Sequence, residues 1–174
     1  ANGALSSQTS GEGEIRKNII EADLIEGIVA LPPQLFYSVT IPVTLWFISK
    51  NKKQKGKTLF IDARKMGHMV DRKHRDFDDE KDIKKLANIF EEFQNGTLEN
   101  VKGFCAVVET EEIRKQDYIL TPGRYVGIEQ QEDDGEPFDV KMQRLTSELS
   151  DMFEKSHELE EEIRKKLGVI GYEI

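Results

Sequence analysis

Cysteine is almost absent from this 174-residue sequence, and long apolar runs are absent altogether. Because Cys105 stands alone, one chain forms neither a disulfide framework nor a thiolate metal site, and this cysteine usage favours a reducing cytoplasm. No stretch approaches the roughly 20 consecutive apolar residues of a membrane-spanning helix, and the first residues lack the basic start and apolar block of a signal peptide. The sequence therefore predicts a soluble, cytoplasmic protein without a membrane partner.

Positive charge is also in short supply. Lys and Arg number 25 against 33 Asp and Glu, which gives a formal net charge of -8. This balance excludes nucleic-acid binding over the whole surface, since phosphate binding depends on clustered Lys and Arg, so any DNA contact has to be local. The high share of charged residues, 33%, is typical of a globular protein with a large exposed surface such as a long helix.

Sequence patterns in the first part of the chain predict an α/β layer. An amphipathic helix from residue 12 or 14 to residue 26 ends at Gly27 and presents an apolar face to a sheet. The wholly apolar run at residues 28–31 is typical of a strand buried on both faces. Pro32 and Pro33 end this strand.

Two further strands are predicted at residues 43–49 and 58–62, which are rich in β-branched and aromatic residues. The short polar segment between them predicts a hairpin, and hence a mixed rather than a purely parallel sheet. The order helix, strand, strand, strand predicts an α/β layer that lacks its beginning, because a complete doubly wound sheet needs more strands.

The middle of the chain predicts an irregular α/β extension. Residues 63–77 are rich in charge and ambiguous, whereas residues 78–93 predict a helix. Residues 104–108 predict a strand and residues 109–115 a short helix. An acidic segment with Gly and Pro at residues 130–137 predicts a linker and marks the clearest boundary in the chain.

A long helix with one narrow apolar seam follows the predicted linker. Its seam residues are separated alternately by four and three positions over nearly four heptads. They are Phe138, Met142, Leu145, Leu149, Met152, Ser156, Leu159 and Ile163. Such a narrow seam needs a partner helix, from the same chain, a second copy or another protein. We predict that this interface is formed by Leu145, Leu149, Met152, Leu159 and Ile163. An ordinary surface helix folded back on its own domain is the alternative.

An ordered series of short motifs runs from residue 1 to about residue 127. It comprises Asn2-Gly3, a Ser/Gly loop at residues 6–13, Glu14-Ile15-Arg16-Lys17, Leu31-Pro32, Leu35-Phe36, Ile41-Pro42, Leu59-Phe60-Ile61-Asp62-Ala63-Arg64, and Tyr118 with Pro122-Gly123-Arg124-Tyr125. In this order the motifs resemble the methylation subunit of type I restriction-modification systems, a family of adenine-specific DNA methyltransferases that use S-adenosylmethionine. The helical tail agrees with that family in position and character.

The resemblance implies a fold, a division of the chain and a set of partners. The fold implied is α/β: the C-terminal portion of a Rossmann-like methyltransferase sheet, mixed in strand direction, followed by a long coiled-coil-like helix. Residues 1–75 would belong to the methyltransferase domain, 76–129 to the extension, 130–137 to the linker and 138–168 to a partner-binding helix. In the parent family a specificity subunit reads the DNA and a restriction subunit joins for cleavage. We expect the tail helix to dock on the specificity subunit.

Two motifs of that family are not found in this sequence. One is the glycine-rich loop that holds the cofactor, and the other is the Asn-Pro-Pro-Tyr-type motif that holds the target adenine. An extruded base has to be held with its exocyclic amine directed at the methyl sulfonium. We therefore expect no catalytic residue, no cofactor-binding residue, no bound cofactor and no activity in the chain alone. A non-enzymatic assembly module and a self-associating helical domain are the alternatives.

Two basic stretches are candidates for contact with DNA phosphates. The first contains Lys52, Lys53 and Lys55, in the loop between the two predicted strands. We favour a solvated loop tip that protects a sheet edge, with DNA contact as the alternative. The second stretch, residues 64–75, is offset by neighbouring aspartates. It contains His68 and His74, which lack a nearby cysteine or the carboxylate spacing of zinc sites, so we expect no metal site.

Overall fold

The structure is a computed structural model that describes residues 2–36, 40–128 and 137–172. Its contacts divide the chain into two compact units, Ala1–Gln130 and Gln131–Ile174. The first unit contains a β-sheet with helices, and the described part of the second is one long helix. The acidic linker predicted at residues 130–137 falls almost wholly outside the described residues.

In the first unit one helix is followed by five strands, and these are followed by a helix, a strand and a helix. The helices are α1 (Glu12–Glu21), α2 (Lys84–Asn95), α3 (Thr110–Lys115) and, in the second unit, α4 (Phe138–Val169). The strands are β1 (Ile25–Ala30), β2 (Thr44–Ile48), β3 (Lys57–Asp62), β4 (His68–Met69), β5 (Arg75–Asp76) and β6 (Cys105–Glu109). Short 3-10 turns occupy Asn2–Leu5, Thr9–Gly11 and Pro122–Arg124, and a π-helical turn at Asp79–Ile83 leads into α2.

The main sheet has the strand order β2-β1-β3-β6. Strand β1 is antiparallel to β2 and parallel to β3, and β3 is antiparallel to β6, so the prediction of a mixed sheet is confirmed. The predicted hairpin between the second and third strands is wrong, because β1 lies between them. Ile28 of β1 is opposite Trp46 of β2 on one side and Phe60 of β3 on the other. All six residues of β1 are buried, which favours an interior position, whereas β2 keeps exposed residues at the edge.

Helices cover both faces of this sheet, because side chains along β1 and β3 alternate between two apolar clusters. The cluster under α1 and α3 includes Ile20, Ile28, Phe60 and Ile113. The cluster under α2 includes Val29, Ile61, Ile89 and Phe93. The sheet is therefore the middle layer of an α/β/α arrangement.

The boundary between α1 and β1 differs from the sequence prediction. Helix α1 ends at Glu21 rather than at residue 26, and Asp23 turns the chain with a φ of 52°. Gly27 lies inside β1 and does not end the helix. A Cβ atom at Gly27 would lie 3.5 Å from the ring of Phe90, which is ordinary van der Waals contact, so α2 packs over this position of the strand.

Helix α2 begins and ends with recognisable caps. The side chain of Asp78 accepts hydrogen bonds from the backbone N–H groups of Glu80 and Lys81, and Gly96 ends the helix in the left-handed conformation. The predicted helix at residues 78–93 is therefore present, with its first turn in π-helical geometry.

The sheet also crosses the boundary predicted at residue 75. Strand β6, from the predicted extension, pairs with β3 from the predicted methyltransferase part, and Phe60 lies opposite Ala106. The two parts share the clusters on both faces of the sheet. Residues 76–128 are therefore packed as part of the same unit as residues 2–36 and 40–75.

Candidate partner-binding surfaces

Helix α4 presents its apolar seam to solvent. It runs without interruption over 32 residues, and none of them is buried. The five predicted interface residues, Leu145, Leu149, Met152, Leu159 and Ile163, are between 43% and 66% exposed. Because apolar side chains at this spacing form one stripe along a helix, the seam is a continuous surface available for packing. The identity of its partner stays a prediction.

Ion pairs within α4 stabilise the helix without using the seam. Arg164 donates to Glu160 at 2.8 Å, and Lys166 lies 2.6 Å from Glu162. Such pairs, one turn apart, contribute about 0.2–0.5 kcal/mol each, so they support the helix but leave the apolar stripe uncovered.

The apolar surface of α4 is wider than the sequence seam. Phe153 follows Leu149 by four positions and is 62% exposed. Residues four apart lie next to each other on a helix, so Phe153 extends the seam on one side. The seam predicted from alternating spacings of four and three positions left out Phe153, although its spacing of four from Leu149 is visible in the sequence.

The loop between β2 and β3 does not present all three predicted lysines. Lys53 and Lys55 are exposed, but the side chain of Lys52 is only 1% exposed. Its Nζ lies 2.5 Å from Asp23 Oδ1, so the ammonium is held inside the protein. The expectation that Lys52 lies at a solvated tip or contacts DNA is therefore wrong, because a carboxylate 29 residues earlier in the chain binds it.

The loop lysines and the second basic stretch lie at opposite ends of the parallel strands. Residues 49–56 lead into β3 and so lie at the amino ends of β1 and β3. Strands β4 and β5 form a hairpin that follows β3 and starts from the carboxyl ends. In open α/β sheets, ligands bind outside the carboxyl ends of the strands. The hairpin is therefore the basic element beside the edge where such sheets place their ligands.

Arg16 is a buried residue whose role the sequence reasoning missed. The residue is 2% exposed, and its guanidinium donates from Nε to Tyr118 O at 2.8 Å and from Nη1 to Ser7 O at 2.7 Å and Ala4 O at 3.2 Å. These hydrogen bonds connect α1 to the N-terminal segment and to the segment that follows α3. Its position four residues before the buried Ile20 was the available signal.

The last of the sequence motifs is part of the core. The ring of Tyr125 stacks on Phe60 with centroids 4.2 Å apart, and its hydroxyl donates to Ile119 O at 2.5 Å. Burial raises the pKa of Tyr125 to about 12. The neighbouring Arg124 donates to Gln116 at 3.3 Å on the surface. Tyr125 therefore has a structural role.

The fold and its surfaces define a class of protein: a three-layer α/β unit, followed in the chain by a helix with an exposed apolar seam. No helix within the described ranges 2–36, 40–128 and 137–172 has the length and apolar character needed to cross a membrane. A family model described as N-6 DNA methylase matches residues 1–134. The chain belongs to this family.

Individual relatives agree with the family. Over 174 residues the chain is 55% identical to the type I restriction enzyme HindI methylase subunit of Haemophilus influenzae, a match that covers 99% of this chain and 39% of that protein. It is 46% identical over 177 residues to the MjaIX methylase subunit of Methanocaldococcus jannaschii, covering 99% of this chain and 31% of that protein. The resemblance to type I methylation subunits is confirmed, and the chain spans about a third of the length of these relatives.

The fold agrees with a solved structure of the same kind. The type I restriction-modification system methyltransferase subunit from Streptococcus thermophilus superposes with a TM-score of 0.63 at 28% sequence identity. The match covers 73% of this chain and 25% of that one. The α/β architecture is therefore that of a part of a methyltransferase subunit.

Proposed function

We propose that this chain is the C-terminal part of a type I DNA methyltransferase subunit, whose whole form transfers a methyl group from S-adenosylmethionine to adenine N6. In this proposal the chain supplies the closing strands of a Rossmann-like sheet and a helix for subunit contacts. The names of the relatives and the share of their length that the chain spans support this division.

The edge of the sheet at β2 supports a continuation of the sheet in the whole protein. Leu45 is 42% exposed and Phe47 39% exposed, on the face that α2 covers. Their side chains contribute to an apolar hollow of about 630 Å³ next to Phe90. Exposed apolar side chains on an edge strand are typical of a strand that is covered or paired by a further segment in the whole protein.

The residues at the carboxyl edge do not fit S-adenosylmethionine. Asp62, at the end of β3, accepts two hydrogen bonds from Arg64 at 2.8 and 2.5 Å, so its carboxylate is occupied. Burial by itself raises the pKa of Asp62, but the hydrogen bonds from Arg64 hold it below its usual value. Leu31 and Pro32 beside it are buried and apolar. We place the cofactor site and the catalytic residues in the part of the parent protein outside this chain.

The seam of α4 is proposed to dock on the helices of the specificity subunit, in coiled-coil fashion. The exposed stripe from Leu145 to Ile163 is the observation that carries this part of the proposal. Apolar side chains at alternating spacings of four and three can insert between the side chains of a facing helix, as in a coiled coil. The restriction subunit and DNA are proposed to join through the whole complex.

The docking proposal is tested by inserting charge into the seam of the full-length subunit. The variant Leu149→Asp with Leu159→Asp should lose association with the specificity subunit in size-exclusion chromatography, and methyl transfer to adenine should fall with it. Buried unpaired carboxylates at a helix interface are strongly unfavourable. The matched control is Gln143→Asp with Ser147→Asp, which inserts the same charge on the opposite face and should bind normally.

Three other results would contradict the proposal. Unaltered association of the seam variant would remove the docking role. Loss of self-association by the seam variant, with subunit binding intact, would favour a self-associating helical domain. Absence of methyl transfer by the wild-type complex would favour a non-enzymatic assembly module.

A further inference from the structure

The β4–β5 hairpin is fixed to the carboxyl ends of the parallel strands. The backbone N–H of Arg75 donates to Gln34 O at 2.9 Å, in the loop that follows β1. The guanidinium of the same arginine donates from Nη1 to Met66 O at 2.9 Å and Gly67 O at 3.1 Å, in the segment that follows β3. One residue therefore ties the hairpin to the exits of both β1 and β3.

The tip of the hairpin is an ordered turn built around Asp71. Val70 N donates to His74 O at 2.9 Å and closes the turn. Asp71 Oδ1 accepts from Lys73 N at 2.6 Å and His74 N at 2.9 Å, while Oδ2 lies 2.6 Å from His74 Nδ1. Side-chain and backbone hydrogen bonds lower the pKa of Asp71, so its charge is engaged within the turn.

Two cations at this tip are open to solvent. Arg72 and Lys73 are exposed, and among the described contacts their side chains form no hydrogen bond or ion pair. The carboxylate within the tip, Asp71, is engaged by the hydrogen bonds of the turn itself. The tip therefore presents local positive charge on a chain whose net charge is -8.

We propose that the hairpin tip, residues 70–74, contacts the phosphates of duplex DNA through Arg72 and Lys73. The inference rests on the proposed function, which makes DNA the substrate of the whole protein, and on the general rule that open α/β sheets place their ligands outside the carboxyl ends of the strands. Phosphate contacts position a protein on DNA without reading its sequence, as suits a methylation subunit that leaves base reading to its partner. The loop with Lys53 and Lys55 lies at the other end of the strands and is the rival site.

The experiment compares two variants of the full-length subunit in complex with its specificity subunit. One carries Arg72→Ala with Lys73→Ala, and the other carries Lys53→Ala with Lys55→Ala. Binding to a short DNA duplex of arbitrary sequence is measured by fluorescence anisotropy at several salt concentrations. Each lost phosphate contact should reduce the slope of log K against log salt by about 0.9, so the hairpin variant should lose about 1.8. The loop variant should keep the wild-type slope.

The outcomes separate this inference from the function on which it rests. All four residues are exposed, so both variants should keep the wild-type unfolding temperature. An unchanged slope in the hairpin variant, or an equal loss in both, would overturn the assignment. Weaker binding of the specificity subunit with an unchanged slope would show that the tip contacts protein instead. Methyl transfer by the wild-type complex is measured separately. Its absence would contradict the proposed function, whereas the assignment of the hairpin tip would still be decided by the salt slope.

Discussion

Lys52 and Asp23 form a partly buried ion pair that connects the loop after β2 to the turn before β1. Lys52 Nζ lies 2.5 Å from Asp23 Oδ1, and Asp23 Oδ2 accepts from the backbone N–H of Gly56 at 3.1 Å. Burial alone raises the pKa of Asp23, but the hydrogen bonds from Lys52 and Gly56 lower it below its ordinary value of 3.8. One carboxylate therefore holds both ends of a lysine-rich loop.

Removing the negative charge of this pair is predicted to destabilise the protein. Asp23→Asn leaves the ammonium of Lys52 buried without a charged partner. The free energy of unfolding should fall by about 2 kcal/mol, less than for a fully buried pair because Asp23 is partly exposed. Asparagine tolerates the left-handed backbone at this position, so the change isolates the charge. Chemical denaturation measures the effect.

Asp117 offers a matched control for that substitution. It also has a φ of 52°, but its side chain is exposed and forms no hydrogen bond or ion pair among the described contacts. Asp117→Asn should change the free energy of unfolding by less than about 0.5 kcal/mol. Equal effects of the two substitutions would show that the ion pair contributes nothing to stability.

Glu21 is predicted to make stability depend on pH in the acid range. Its carboxylate accepts from Arg114 at 2.8 and 2.7 Å and from the Tyr118 hydroxyl at 2.7 Å, and these bonds lower the pKa of Glu21 from 4.5 to about 2. A carboxylate with a lower pKa in the folded state stabilises the protein above the unfolded pKa, and this stabilisation is lost as pH falls through the folded value.

The unfolding midpoints of the wild type and of the Glu21→Gln variant are measured at several pH values across the acid range and compared. The difference between them should be largest above pH 4.5 and should disappear near pH 2. Glu14→Gln, on the same helix, removes an exposed carboxylate that has no hydrogen bond or ion pair among the described contacts. A constant difference for Glu21→Gln from neutral pH to pH 2 would contradict the prediction.

Local patterns in the sequence predicted the elements better than their pairing. The apolar run at residues 28–31 marked the interior strand, and the seam marked α4, because both patterns arise within one element. The hairpin prediction failed because loop length alone does not tell which strand is interior. The burial of Lys52 and Arg16 was not visible, since each depends on acceptors distant in sequence: Asp23 for the lysine and Tyr118 O for the arginine.

The backbone hydrogen bonds of β2 allow a direct test of whether a further strand pairs with this edge of the sheet in the whole protein. Val43 O accepts from Leu31 N, and Ser49 N donates to Leu24 O, so odd-numbered residues of this segment bond toward β1. In an antiparallel pair, successive residues of a strand direct their backbone N–H and C=O groups to opposite sides. The even-numbered residues of β2 therefore direct these groups away from β1. Among the described residues β2 is the edge strand there.

Hydrogen exchange is therefore predicted to differ between alternate residues of β2. In the chain by itself, the amides of Trp46 and Ile48 should exchange much faster than those of Leu45 and Phe47, which face β1. In the full-length subunit, a strand added at this edge should slow Trp46 and Ile48 by more than about tenfold and leave the other two protected, since only paired amides resist exchange. Because the odd-numbered amides serve as an internal control, a general loosening of the chain would raise all four rates together. Fast exchange at Trp46 and Ile48 in the full-length subunit would mean that no strand pairs with β2, and the sheet would then end where this chain ends it.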